Sequence, residues 1–223
     1  GEQMKIVCLT LARGGSKGIP RKNIAPLCGK PLISYVVDAS LRSKVDETWV
    51  STEDDEIKAV AEQCGASVIR RPVELATDTA KCEDTLVHFA ENVDFDMLVY
   101  IQTTSPMVSK DDINKGIALM QTGYYDSVFT VTKEHWVPRW SLDVKPIDWN
   151  IRYRPRRQTI EPKYIENGAF YITTKRNLLK TGMRYGGNIG VIEIPFSRSF
   201  QVDTKEELMV IEALMKSNGV NDE

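Results

Sequence analysis

Between residues 5 and 121 the chain alternates short apolar runs with longer amphipathic ones, and few folds accept that rhythm. The apolar runs fall at 5–11, 48–51, 67–69 and 97–102, and the amphipathic ones at 32–43, 56–64, 85–93 and 113–121. A run too short for a helix and apolar on both sides is the pattern of a strand covered on two faces; strands separated by helices pair in parallel. The expected fold is α/β and three-layered, a mostly parallel sheet between helices, with ligands bound beyond the carboxyl ends of the strands.

Local signals place the elements. Pro31 suits a first helical turn, and Leu32, Ile33, Val36, Val37 and Leu41 then share one face. The carboxylates of Glu53, Asp54, Asp55 and Glu56 complement the positive end of the second helix and read as capping and solvated groups rather than catalytic ones. After a strand at 127–133 the rhythm breaks. Residues 134–165 carry Trp136, Trp140 and Trp149 among prolines and arginines, without periodicity, as expected of a lid or an interface. A strand at 169–174, a short helix from Lys175, a strand at 189–194 and a packing helix at 205–215 with Leu208, Val210, Ile211 and Leu214 complete the reading.

A chain of 223 residues is expected to form one domain, 1–223. A net charge of −2 argues against a nucleic-acid partner, and no apolar run has the length of a membrane span. Cys8, Cys28, Cys64 and Cys82 form no C-x-x-C pair, so neither a zinc site nor a disulfide framework is expected. Residues 1–4 are too short and polar for a signal peptide, and a cytoplasmic location is expected.

The first strand runs into LARGGSKGIPRKN, residues 11–23. Gly14, Gly15 and Gly18 let backbone approach an anion, and Arg13, Lys17, Arg21 and Lys22 neutralise one. Neither G-x-x-x-x-G-K-[ST] nor G-x-G-x-x-G is present, so the ATPase and dinucleotide loops are excluded, while local anion binding stands.

Taken with VSTEDDEI at 50–57, RRPVELATDTA at 70–80, QTTSP at 102–106, YDSVFTV at 125–131, RPRRQ at 154–158, ENGAFYI at 166–172 and VDTKEEL at 202–208, this stretch resembles the acylneuraminate cytidylyltransferase family over almost the whole chain. The resemblance implies a Rossmann-like, nucleotide-diphospho-sugar transferase-like fold. It also implies transfer of CMP from CTP to the anomeric hydroxyl of a 2-keto sugar acid, with release of pyrophosphate and Mg²⁺ as cofactor. Carried over by position, Leu11, Ala12, Arg13, Ser16, Lys17, Lys22 and Asn23 belong to the nucleotide, with Arg13, Lys22 and Asp203 catalytic. Arg71, Ala80 and Cys82 fall in the cytosine-reading segment. Gln102, Thr104, Ser105, Arg139, Arg156, Arg157, Asn167, Ala169 and Phe170 fall on the sugar side, and Asp203 is the metal ligand. Arg21 is expected to be exposed. The segment 134–165 matches a dimerisation element, so a homodimer is implied; RPRRQ also admits a nuclear address in an animal protein.

Two positions depart from the family pattern. Cys82 stands where many bacterial members carry serine, and Gln201 stands where the family's D-x-D pair has its first carboxylate, leaving Asp203 alone. A single carboxylate with the nucleotide phosphates still suits Mg²⁺, which retains several waters, at a higher metal requirement. The alternatives in substrate are legionaminic, pseudaminic and deaminated neuraminic acids and ketodeoxyoctulosonate; the alternative in class is a catalytically weak nucleotide-binding homologue. His88 and His135 offer no convincing base.

Overall fold

The structure, a computed structural model, describes residues 3–219; Gly1 and Glu2 of the polar lead lie outside the described residues. The chain runs β1 (Ile6–Leu11), a small hairpin of β2 (Pro26–Leu27) and β3 (Lys30–Pro31), α1 (Leu32–Arg42), β4 (Glu47–Thr52), α2 (Asp55–Gln63), β5 (Ser67–Arg70), α3 (Cys82–Asn92), β6 (Met97–Ile101) and α4 (Lys110–Gln121). It continues through β7 (Ser127–Lys133), a second small hairpin of β8 (Arg139–Trp140) and β9 (Pro146–Ile147), β10 (Tyr164–Thr174), α5 (Lys175–Thr181), β11 (Ile189–Glu193) and α6 (Lys205–Ser217).

Seven strands form one sheet in the order β11-β7-β10-β6-β1-β4-β5. Neighbours pair in parallel except β10, which runs antiparallel to both β6 and β7. The expected mostly parallel sheet is present. Strand order turns back on itself beside β1, whose neighbours are β4 on one side and β6 on the other. Such a switch leaves a crevice at the carboxyl ends of β1 and β6, because their following connections run toward opposite edges of the sheet, one to β4 and the other to β7.

The core lies on both faces of the sheet. On one face Val36 of α1, Ile113 and Ile117 of α4 and Phe170 of β10 pack together, and Ile33 and Val37 of α1 meet Ile57 and Ala61 of α2 beside them. On the other face Leu86 and Phe89 of α3 and Leu178 of α5 cover Leu9, Leu98 and Tyr171. Phe89 and Phe170 are fully buried, and burying one such ring contributes roughly 2–3 kcal/mol. Helix starts follow the capping logic of the sequence: Asp54 caps α2 through the Ile57 amide, and Ser109 and Thr204 close capping boxes on α4 and α6.

Three expectations need correction. Leu41 and Val210 are 48% and 47% exposed rather than packed, so the apolar faces of α1 and α6 are narrower than the spacing implied. Helix α3 starts at Cys82, three residues before the amphipathic run, because Glu83 and Asp84 suit its first turn. Strand β10 starts at Tyr164 rather than at residue 169, so the last two residues of the 134–165 segment belong to the sheet. Its first three residues are exposed, which hides the strand from a search for apolar runs. A register shift between Glu166 and Tyr171 bends it, with Gly168 at φ +72° supplying the left-handed turn.

Candidate active site

A cleft of about 170 Å³ opens at the switch point. Leu11 and Arg13 after β1, Asn23, Arg71 after β5, Cys82 at the start of α3, and Tyr100, Gln102 and Thr103 at the end of β6 line it. The sheet thus gathers Leu11, Arg13, Asn23, Arg71, Cys82 and Gln102, all expected in the site, from positions far apart in sequence. Tyr100 and Thr103 are additions that the sequence reading missed. Tyr100 carries a signal, because it is the penultimate residue of the strand that feeds the QTTSP turn. Thr103 lies within that turn, yet its neighbours were chosen.

The glycine-rich loop owes its shape to two adjacent carboxylates. The Gly14 amide donates to Glu53 Oε1 at 2.6 Å, and a Cβ at Gly14 would lie 2.8 Å from Asp54 Oδ2, so a side chain there would push Asp54 aside. Farther along, Arg21 adopts a left-handed backbone, φ +53°, and its guanidinium grips both oxygens of Asp54 at 2.6 and 2.8 Å and Glu56 at 2.9 Å. Arg21 is therefore a clamp on α2, which corrects its reading as a merely exposed residue. Likewise Glu53 and Asp54 are more than solvated caps. The Arg21 guanidinium, aided by the Ile57 amide against a burial cost, holds the Asp54 carboxyl down at about 2. Inside the loop, the Ser16 hydroxyl donates to the Ile19 carbonyl at 2.6 Å and accepts from the Lys22 amide at 3.2 Å. Asn23, 6% exposed, donates to the Arg13 carbonyl and accepts from Thr103 at 2.6 Å, tying the loop to the QTTSP turn.

The cations fall into three groups. Arg71 is 5% exposed; among the described residues its side chain makes only long hydrogen bonds of 3.4 Å, to the Leu75 and Ser51 carbonyls, and its buried Nε has no partner. Burial pulls its pKa down, with Glu53 opposing. Arg13 and Lys17 face Asp78, at 2.6 and 3.8 Å, and Lys17 is 82% exposed. Lys22 lies 3.3 Å from Asp203. The arrangement presents fixed positive charge beside neutral hydrogen-bonding groups, as a polar phosphorylated ligand requires.

A family model described as cytidylyltransferase matches residues 7–180. The chain belongs to the cytidylyltransferase family. Among its relatives, an N-acylneuraminate cytidylyltransferase of Oncorhynchus mykiss is 38% identical over 95% of this chain and 50% of its own. A pseudaminic acid cytidylyltransferase of Campylobacter jejuni is 30% identical over 96% of this chain and 98% of its own. The chain spans about half the length of several of these relatives. A CMP:2-keto-3-deoxy-manno-octonic acid synthetase complexed with CTP shares the fold at a TM-score of 0.71 and 19% identity, covering 96% of this chain and 99% of that one. A 4-diphosphocytidyl-2C-methyl-D-erythritol synthase of Anaerococcus prevotii does so at 0.68 and 13%, covering 95% and 96%.

Other residues carried over from the cytidylyltransferase motifs lie outside the cleft wall. The Ala12 side chain is buried with Ile33 and Val37, and the Ala80 amide turns back to Thr77. Thr104 donates toward the oxygens of Gln102 at 3.5 Å and Gln201 at 3.3 Å, and the buried Ser105 hydroxyl has no partner among the described residues. Asn167 accepts from Thr130 at 2.5 Å, donates to Ser199 at 3.1 Å, and receives the Gln201 amide on its carbonyl. Ala169 and Phe170 are corrections: both belong to the core, Phe170 is fully buried, and a Cβ on Gly116 would lie 3.0 Å from its ring. Their side chains pack rather than face a sugar. Arg139 pairs with Asp148 at 3.2 Å and Arg157 donates to the Trp136 carbonyl, so these two guanidinium groups are held within the 134–165 segment, where the Arg156 carbonyl accepts from Thr159. Among the described residues no three His, Cys, Asp or Glu side chains form a metal cluster, and no helix is long and apolar enough to cross a membrane.

Proposed function

We propose that the cleft binds CTP and that the chain transfers CMP from it to the anomeric hydroxyl of a 2-keto sugar acid of the nonulosonic type. The observation that carries the reading is Arg71, a buried guanidinium without an ion pair among the described residues, lining a switch-point cleft together with Arg13. A buried cation left without a carboxylate is costly unless a ligand completes it.

In this reading the sugar oxygen attacks the α-phosphorus, the bond to the bridging oxygen breaks, pyrophosphate leaves and the sugar proton passes to solvent. Arg13, Lys17 and Lys22 hold the triphosphate and oppose the charge that grows on the leaving oxygens. Asn23 and Thr103 fix the loop against the turn that bears Gln102. Gln102, Thr104 and Asn167 lie on the acceptor side. Asp203 is an exposed carboxylate 3.3 Å from the Lys22 ammonium, and a single carboxylate oxygen donor suits an ion keeping most of its ligands as water and phosphate, as Mg²⁺ does. Bound by Asp203, Mg²⁺ would supply further neutralisation of the phosphates. Residues 134–165 are the proposed dimer contact, since Leu142, Val144, Ile151 and Tyr153 are exposed there.

The test is pyrophosphate release with CTP, ATP, GTP and UTP against N-acylneuraminic, pseudaminic, legionaminic and deaminated neuraminic acids and ketodeoxyoctulosonate. Turnover with CTP and at least one of these acids, abolished by chelator, is expected. Nucleotide binding without turnover on any acid overturns the transferase reading, and preference for another nucleotide overturns the cytidine assignment.

A further inference from the structure

We infer that Arg184, which does not line the cleft, is a positioning residue for the wall formed by Cys82 and Tyr100. The inference rests on the nucleotide reading above and extends it to a residue that no motif marks. Arg184 lies in the turn between α5 and β11 and reaches Glu83, 101 residues away in sequence, through Nε to Oε1 at 2.8 Å. Both side chains are largely shielded, at 19% and 18% exposure. The guanidinium carbon sits 5.5 Å from the Tyr100 ring centre and 5.0 Å from that of Tyr171. The two rings stack at 5.8 Å, and Tyr185 and Phe129 extend the cluster. The Tyr171 hydroxyl donates to Glu166 at 2.6 Å, so this second ring is anchored to β10 at its far edge.

Each partner of Arg184 touches the cleft wall directly or by one residue. Tyr100 lines the cleft itself, and Glu83 follows Cys82 in the first turn of α3, a helix whose N-cap, Lys81, supplies no side-chain cap. The guanidinium sits beside the stacked pair of Tyr100 and Tyr171, within reach of both ring centres, and both ring quadrupoles attract it. A shielded guanidinium–carboxylate pair resists separation, because breaking it strands one charge. Burial, helped by the Cys82 thiol, pushes the Tyr100 phenol above its usual range, so its hydroxyl remains a neutral donor. Arg184 therefore fixes the angle of one ring and the start of one helix together. The phosphate side does not depend on it: Gly14, Arg21 and Lys22 are anchored to Glu53, Asp54 and Asp203. Loss of Arg184 should weaken nucleotide binding and blur the choice of base while leaving the phosphoryl chemistry nearly intact.

The experiment measures equilibrium binding of CTP and UTP, with steady-state kinetics, for the full chain and for Arg184→Met, Arg184→Lys and Glu83→Gln. Arg184→Met is expected to raise Kd and KM for CTP about tenfold with kcat changed less than about twofold, and to narrow the CTP preference over UTP. Arg184→Lys should recover part of the loss, since an ammonium restores charge without the flat stack. Glu83→Gln should shift KM in the same direction as Arg184→Met. Unchanged Kd and KM with a lowered melting temperature would make Arg184 a brace for the fold alone, and a fall in kcat at constant KM would also overturn the inference. If Arg184→Met does not fold, the Lys and Gln variants carry the same comparison. A wild-type chain that binds no CTP removes the nucleotide reading first, and the inference with it.

Discussion

Segments 11–23 and 134–163 are both irregular and both rich in cationic side chains, yet they are built in opposite ways. In the first, the turns are tied to other elements: Gly14 to Glu53, Arg21 to Asp54 and Glu56, Asn23 to Thr103. In the second, the ties are mostly internal. Trp140 packs edge-on to Trp149 at 4.9 Å, Arg154 lies over Trp149, and Arg139 pairs with Asp148. Its apolar side chains face outward, with Leu142 fully exposed and Tyr153 79% exposed. A loop that must present charge at fixed points is held by the scaffold around it, since an error of an ångström at a reacting phosphate costs rate. A segment that keeps its apolar surface outside is arranged to be covered.

The sharpest way to break this contrast is at Arg13. Arg13→Ala, and separately Lys22→Ala, should fold as the parent does and lose about 100-fold or more in kcat; parental kcat in a purified variant removes that residue from the catalytic set. The matching test on the other segment is Leu142→Glu with Tyr153→Glu, expected to halve the sedimenting mass while leaving the helix content of the chain unchanged. Equal mass in parent and variant removes the segment from the proposed contact.

Two smaller effects examine the pinned loop itself. Asp78 occupies Arg13 and approaches Lys17, so a triphosphate must displace it. Asp78→Asn is expected to lower KM for CTP a few-fold, because a solvent-screened pair is weak and easily displaced; a raised KM would mean that Asp78 instead holds Arg13 in place. The clamp is read by pH. The Asp54 carboxyl drops from 3.8 to about 2 in the folded chain, mainly through Arg21. Its contribution is complete above about pH 4 and lost as pH falls toward 2, because the unfolded chain takes up the proton first. Asp54→Asn, which can still cap α2, should show less acid destabilisation over that window in a circular-dichroism titration. An identical acid profile would leave the clamp without energetic weight.

Much of this molecule was legible because its signals are local. Periodicity located β1, β4, β5 and β6 and the helices that follow them, though not the small hairpin of β2 and β3, and caps such as Asp54, Ser109 and Thr204 stand where short polar residues precede helical runs. Strand β10 was read short because Tyr164, Ile165 and Glu166 face solvent, so the apolar pattern starts only after the bend. Phe170 was placed on the sugar side because it belongs to a matching motif, whereas alternation across the strand turns it into the core.

The layered α/β fold, the basic glycine-rich loop at the end of β1 and the family motifs that mark Arg13, Arg71 and Asp203 are all written in the order of the residues. Short-range chemistry suffices for these, since helix period, turn residues and charge are properties of neighbouring positions. Which cations face the cleft, the clamp of Arg21 on α2, the pairing of Asp78 with Arg13 and the approach of Arg184 to both Tyr100 and Tyr171 emerge in the folded molecule alone. Those facts depend on strand order and on side chains meeting across scores of residues, and no local pattern encodes such distances.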